Sequence, residues 1–163
     1  MATGRKNQLT RQIGEHLIVA KLGRLGYIAT PFAGNVPNFD LLIADYEGHS
    51  IPVQVKAING GSWQFSIDKF LDVEIIDDIQ YIKSKHKLAN PNLVCVFVRL
   101  VDDEKDDFFV FQLKNLQEYF SNSYKGGRRK KNPQSLHCAI PPKDLEQFRD
   151  NWSLIEKTFR SVK

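Results

Sequence analysis

The stretch NFDLLIADYEGHSIPVQVKA, residues 38–57, decides how this chain is read. Two apolar segments flank a short turn containing Gly48, which is a β-hairpin pattern, yet Asp40, Gln54 and Lys56 interrupt it. Burying a polar group without a partner costs free energy, so strands do not carry such residues by default. Side chains alternate along a strand, placing Asp40, Leu42 and Ala44 on one face and Phe39, Leu41 and Ile43 on the other. On the second strand Gln54 and Lys56 share a face, and Ile51, Val53 and Val55 take the opposite one. The turn then determines whether the two polar faces coincide. A two-residue turn at Glu47-Gly48 pairs Asp40 with Val55 and sets the acid among apolar side chains. A three-residue loop, Tyr46-Glu47-Gly48 with Gly48 left-handed, pairs Asp45 with His49 and Asp40 with Gln54. Only the odd-length loop keeps both apolar faces together, and it is the preferred reading. Lys56 then lies diagonally across from Asp40.

Upstream, the periodicity predicts a helix over residues 9–25, stopped by Gly26. At about 100° per residue, Leu9, Ile13, Leu17 and Ala20 form one apolar stripe and Ile18, Val19, Leu22 and Leu25 a second. A helix apolar on two sides is expected to be largely buried. Glu15 falls in the second stripe, which points its carboxylate at a pocket or cleft edge. YIAT reads as a short strand before the hairpin, and GGSWQF as a glycine turn into another strand. FLDVEIIDDIQYIKSK fits strand and helix equally. NLVCVFVRL is a β-branched run expected to be covered on both faces, with DFFVFQLK as its neighbour. A short helix at NLQEYF, a strand at SLHCAI and a final helix carrying Leu145, Phe148, Trp152, Ile155 and Phe159 complete the chain. The expected architecture is a mixed α/β domain, one unit over residues 1–163, with a mixed β-sheet flanked by helices.

The bulk properties limit the possible functions. At 163 residues the chain is long enough for a hydrophobic core. No apolar run reaches membrane-spanning length and MATGRKNQLTRQ lacks a signal peptide's apolar region, so a soluble cytoplasmic protein without membrane partners is expected. Cys95 and Cys138 stand apart, without metal-ligand spacing, and read as reduced core residues. The formal net charge of +4 permits a polyanionic partner. KGGRRKK concentrates positive charge in a glycine-containing loop, where phosphate contact and simple solubility are equally good readings. DDEKDD is read as a solvated acidic turn.

On the polar face of the hairpin, a carboxylate, a carboxamide and an ammonium converge. Asp40 offers a hard anionic oxygen suited to Mg²⁺, and Gln54 a neutral oxygen ligand. Lys56 is placed to hold water or to offset charge on a phosphoryl group, with Glu15 reaching the metal through water. The alternative is a satisfied structural cluster in which Lys56 pairs with Asp40 and Gln54 bridges. Four such residues in this arrangement favour a site.

Glu15 on a leading helix, then FD (Phe39, Asp40), then QVK (Gln54, Val55, Lys56) resembles the PD-(D/E)XK nuclease core of Holliday-junction resolvases and restriction endonucleases. The resemblance covers about residues 11–58. It implies a restriction-endonuclease-like αβββαβ core and a Mg²⁺- or Mn²⁺-dependent phosphodiesterase acting on nucleic acid, DNA above all. It further implies Asp40, Gln54 and the Val55 carbonyl as metal ligands, Lys56 activating or orienting water, Glu15 assisting, and in-line attack leaving a 5′-phosphate. Lys21, Arg24, Arg128, Arg129, Lys130 and Lys131 are expected to hold the nucleic-acid backbone, and nuclease relatives often form homodimers. One departure matters: Gln54 stands where the pattern usually has Glu or Asp, as in the QxK variant of Mrr-type restriction enzymes. The missing charge should weaken cation binding, which keeps open a catalytically degenerate nuclease-fold domain that binds nucleic acid or a protein partner. His16 and His49 read as surface or loop histidines and not as ligands, adjacent His137 and Cys138 point to opposite faces of a strand and cannot form a thiolate–imidazole pair, and Trp63 and Phe65 read as core before they read as base-stacking residues.

Overall fold

In the computed structural model, which describes residues 2–32, 38–101 and 105–162, β2 (Leu41–Ala44) pairs antiparallel with β3 (Ser50–Ile58). The register runs from Leu41 opposite Val53 to Ala44 opposite Ser50, as the three-residue loop requires. Gly48 takes a φ of +90°, a conformation that glycine adopts without steric cost. The Asp45 amide donates to the His49 carbonyl at 3.0 Å, and the Asp45 carboxylate accepts from the Glu47 and His49 amides at 3.0 and 2.9 Å, an Asx-type closure of the loop.

The chain divides into two compact units. The first, drawn from residues 1–63, 93–111 and 141–163, contains α1 (Ala2–Arg24), β1 (Ile28–Pro31), β2, β3, β7 (Val94–Arg99), most of β8 (Asp107–Gln112) and α3 (Ser153–Val162). Its sheet is mixed, in the order β1-β2-β3-β7-β8, with β3 and β7 parallel and β1-β2-β3 antiparallel. Parallel neighbours need a long crossover, supplied here by residues 59–93. Val94 to Val98 are all buried, as the β-branched run predicts. On one face Ile18 and Leu22 of α1 and Ile155 and Phe159 of α3 close over Leu41, Ile43, Val53, Val55 and Val96. On the other, the rings of Phe109, Trp63, Phe97, Phe111 and Phe148 pack in series, tilted or edge to face, with neighbouring centroids 4.8–5.7 Å apart. The sheet is flanked by helices, as expected.

Helix α1 differs from its sequence reading. Among the described residues of α1 only the line Thr10, Gly14, Ile18 and Leu22 is buried, with Leu17 and Val19 packed beside it, while Leu9 and Ile13 of the first stripe are 51% and 46% exposed. Gly14 sets the approach of the helix to the sheet: a Cβ there would lie 2.5 Å from the Cβ of Ala57 and 3.9 Å from Val55. Gly14→Ala should therefore destabilise the protein by about 1–3 kcal/mol, despite the roughly 1 kcal/mol that alanine gains in helix propensity. Urea unfolding monitored by circular dichroism measures it; a stabilised variant would contradict the close approach.

The expected final helix is two elements. A 3₁₀ helix covers Pro142–Phe148 and α3 starts only at Ser153, with Asp150 at φ +50° between them. Distant partners impose the break. Arg149 ion-pairs with Asp107 and Glu146, the Asp150 amide donates to the Phe108 carbonyl at 2.9 Å, and the Asn151 amide group donates to the Val110 carbonyl at 3.2 Å. These bonds bind the connector to β8, and the helical spacing of apolar residues survives the interruption.

The second unit, from residues 64–92 and 112–140, holds the remainder of β4 (Trp63–Ser66), β5 (Leu71–Ile76), β6 (Ile79–Lys85), α2 (Leu113–Ser123), β9 (Gly127–Arg128) and β10 (His137–Ile140). The ambiguous segment is a hairpin: β5 and β6 pair antiparallel across Asp77 and Asp78, both at positive φ, which is the two-residue turn matching strand twist. The basic segment is partly strand, since β9 pairs with the start of β6. Buried Gln80 donates to the carbonyls of Pro133 and Ser135 at 2.7 and 2.9 Å and accepts from the Tyr124 hydroxyl. Among the described residues, no helix is long and apolar enough to cross a membrane.

Candidate functional site

Asp40 sits just before the ladder between β2 and β3 begins. The hydrogen-bonded ladder ends at Leu41, and the Asp40 amide turns to the Val53 carbonyl at 2.9 Å. In an uninterrupted ladder the amide of Val55 would find a main-chain acceptor on the neighbouring strand. Instead it donates to Asp40 Oδ2 at 2.9 Å. The carboxylate thus replaces a strand carbonyl, which fixes its orientation and leaves Oδ1 pointing away from the sheet's hydrogen bonds. The pairs of the ladder follow the odd-length loop as far as Leu41 and Val53, and the Asp40 amide then bonds one residue out of that register.

From α1, Glu15 meets the same place through Arg11. The guanidinium donates from Nε to Glu15 Oε1 at 2.8 Å and from Nη2 to Asp40 Oδ1 at 3.2 Å. Both carboxylate side chains are 16% exposed, and Arg11 is 53% exposed. The bond to Glu15 raises the Arg11 pKa above its ordinary value; partial burial opposes this, and the charges of Glu15 and Asp40 add to it. Arg11 has no place among the residues expected from the sequence. Its only local signal is the i, i+4 spacing to Glu15, common on exposed helix faces.

Gln54 and Lys56 lie on β3, on the face opposite the buried Val53 and Val55, with Cys95 and Phe97 as their register partners on β7. The Cys95 thiol lies 3.9 Å from Gln54 Oε1 and 3.7 Å from the Leu93 carbonyl. Burial pushes the Cys95 thiol up to about 12, with the Lys56 charge lowering it and the Asp40 charge raising it. The Lys56 carbonyl accepts from the Trp63 indole at 3.2 Å, which holds the backbone that carries the ammonium. Glu15, Asp40, Arg11 and Lys56 together sum to zero formal charge.

The oxygen donors that this geometry brings to one group are Glu15 and Asp40. Two carboxylates from different elements approach closely enough for one cationic group to bond both, and an amide oxygen stands on the adjoining strand.

The same architecture occurs in a solved structure of a bacterial homing endonuclease, I-Ssp6803I, at a TM-score of 0.53 and 16% identity, covering 99% of this chain and 97% of that one. The chain shares the fold of that structure. No protein-family model and no curated protein matches the sequence.

The residues expected to contact nucleic acid belong to both units. Lys21 and Arg24 follow Glu15 by about 9 and 14 Å along the axis of α1, and Lys21 Nζ stands 5.5 Å over the Trp152 ring. In the second unit Arg128 donates to the Asp77 carbonyl at 2.9 Å, and Arg129 donates to the Tyr124 hydroxyl at 2.9 Å and the His137 carbonyl at 2.7 Å. These two arginines hold their own segment together, whereas Lys130 and Lys131 are exposed. At the hairpin tip, ligand atoms of Asp45, Glu47 and His49 lie within 4.8 Å of one another. Burial pushes the Asp45 carboxyl up, but bonds from the His49 side chain and backbone outweigh it and hold it low. That cluster is accounted for by loop closure. The acidic turn lies partly outside the described residues, at 102–104.

Proposed function

We propose that this chain is a divalent-metal-dependent endonuclease that hydrolyses phosphodiester bonds in nucleic acid, DNA above all, with a QxK form of the PD-(D/E)XK site and residues 1–163 acting as one nuclease-like domain. The observation that carries the reading is the meeting of Glu15 and Asp40 at a single cationic group, with the Asp40 carboxylate locked by the Val55 amide. The likeness to a homing endonuclease supports it at the level of fold.

In this reading Asp40 Oδ1 is the principal ligand of Mg²⁺ or Mn²⁺, Gln54 Oε1 and the Val55 carbonyl are further ligands, and Glu15 assists. When bound, the ion supplies Lewis acidity at the phosphoryl group. Lys56 orients the attacking water and offsets negative charge developing on the phosphoryl oxygens. Lys21, Arg24, Lys130 and Lys131, together with Arg128 and Arg129, add positive potential for the nucleic-acid backbone. Incubation with supercoiled plasmid tests the activity: nicked and linear products are expected with Mg²⁺ or Mn²⁺ and none with chelator. Identical cleavage in chelator would refute it.

The zero formal charge of the four-residue cluster favours one competing reading, a binding-only domain that has lost its metal. Gln54→Glu distinguishes the two. Restoring one negative charge should tighten Mn²⁺ binding about tenfold, measured by calorimetry. If neither wild type nor variant binds Mn²⁺ at millimolar concentration while DNA still binds in a salt-sensitive manner, the binding-only domain is the correct reading.

A further inference from the structure

Arg11 bonds the carboxylate oxygen that the proposed ion would need. Its guanidinium bonds Glu15 Oε1 and Asp40 Oδ1 at once, and Asp40 Oδ1 is the oxygen that the Val55 amide leaves uncommitted. Yet Arg11 is 53% exposed, more than either carboxylate, so its side chain can leave toward solvent without opening the core. An arginine built only to brace the helix against the strand would be expected to bury its fork against both partners. The two bonds also differ: the contact to Glu15 is short and local to α1, whereas the one to Asp40 is longer and crosses between elements.

We infer that Arg11 is an internal counter-ion of the site, neutralising Glu15 and Asp40 in the metal-free protein and yielding Asp40 Oδ1 when a divalent cation binds. This deepens the metal-site reading and rests on it. The Glu15 bond retains the arginine on α1 during the exchange, so a guanidinium remains beside the centre after it has given up Asp40. The cost of displacing it raises the cation concentration needed to fill the site, and the site stays electrically neutral until that concentration is reached. A cationic group near a bound dication also repels it, so removing the group should strengthen binding.

The test is calorimetric titration of MnCl₂, without nucleic acid, into the wild type, Arg11→Gln, Arg11→Ala and Asp40→Asn, with thermal melting to verify folding. Both neutral Arg11 variants are expected to bind Mn²⁺ about three- to tenfold more tightly than the wild type, and Asp40→Asn to lose the binding. Two neutral variants of different size keep the comparison informative if one of them is destabilised. If the wild type binds through Asp40 but both Arg11 variants bind equally or more weakly, Arg11 braces the site and the counter-ion inference falls while the metal site stands. If no variant binds Mn²⁺, or Asp40→Asn binds as the wild type does, the metal-site reading itself falls and takes the inference with it.

Discussion

Asp40→Asn is expected to lower metal-dependent cleavage by about a thousandfold while leaving stability within roughly 1 kcal/mol of the wild type. The two outcomes separate because the carboxylate does two things with two oxygens. Oδ2 accepts the Val55 amide at 2.9 Å, and an asparagine carbonyl can do the same. Oδ1 faces Arg11 and supplies the negative charge for a cation, which asparagine lacks. Asp40→Ala removes both functions, and should lose activity to the same extent while also costing about 1–3 kcal/mol for the amide left without an acceptor. Initial rates of plasmid nicking, paired with urea unfolding of both variants, measure the separation. Full activity in a folded Asp40→Asn variant would remove Asp40 from the chemistry.

Lys56→Ala is expected to reduce cleavage by about a hundred- to a thousandfold with Mn²⁺ binding retained or slightly tightened. An ammonium that orients water or meets charge developing on a phosphoryl group acts on the transition state, so its loss should appear in kcat more than in metal affinity. Removing a positive charge beside a bound dication would, if anything, favour the ion. Arginine is not an adequate replacement here, because its planar fork presents its donors differently from a compact ammonium. Single-turnover rates at saturating Mn²⁺, set beside calorimetry, measure it. Equal losses in metal binding and rate would place Lys56 in a structural role toward Asp40.

The hairpin could be read from sequence because two constraints acted together. A strand's period of two makes any register error exchange its faces, and Leu41, Ile43, Ile51 and Val53 had to share the buried one. That requirement selected the odd-length loop, and Gly48 could provide its left-handed residue. Arg11 was not legible, because its partner across the strand is 29 positions away and its local context is an exposed helix turn. The break before α3 was equally hidden: the apolar spacing continues through Trp152, while the residues that bend the chain answer to Asp107, Phe108 and Val110 on β8. The β5–β6 turn escaped notice because aspartates fill both positive-φ positions where glycine or asparagine would have announced them. In α1 the exposed stripe of Leu9 and Ile13 shows the limit of periodicity, which reports which residues share a face but not which face meets the sheet.

The central claim is that Asp40 anchors a cation site, with Glu15 assisting. Anomalous diffraction from crystals grown with MnCl₂ tests it most directly. The expected result is a Mn²⁺ peak in bonding contact with Asp40 Oδ1, beside Gln54 Oε1 and the Val55 carbonyl, with the Arg11 guanidinium withdrawn from Asp40. A crystal with no peak at Asp40 and Arg11 still bridging Glu15 and Asp40, whether or not Mn²⁺ has bound among Asp45, Glu47 and His49, would contradict it.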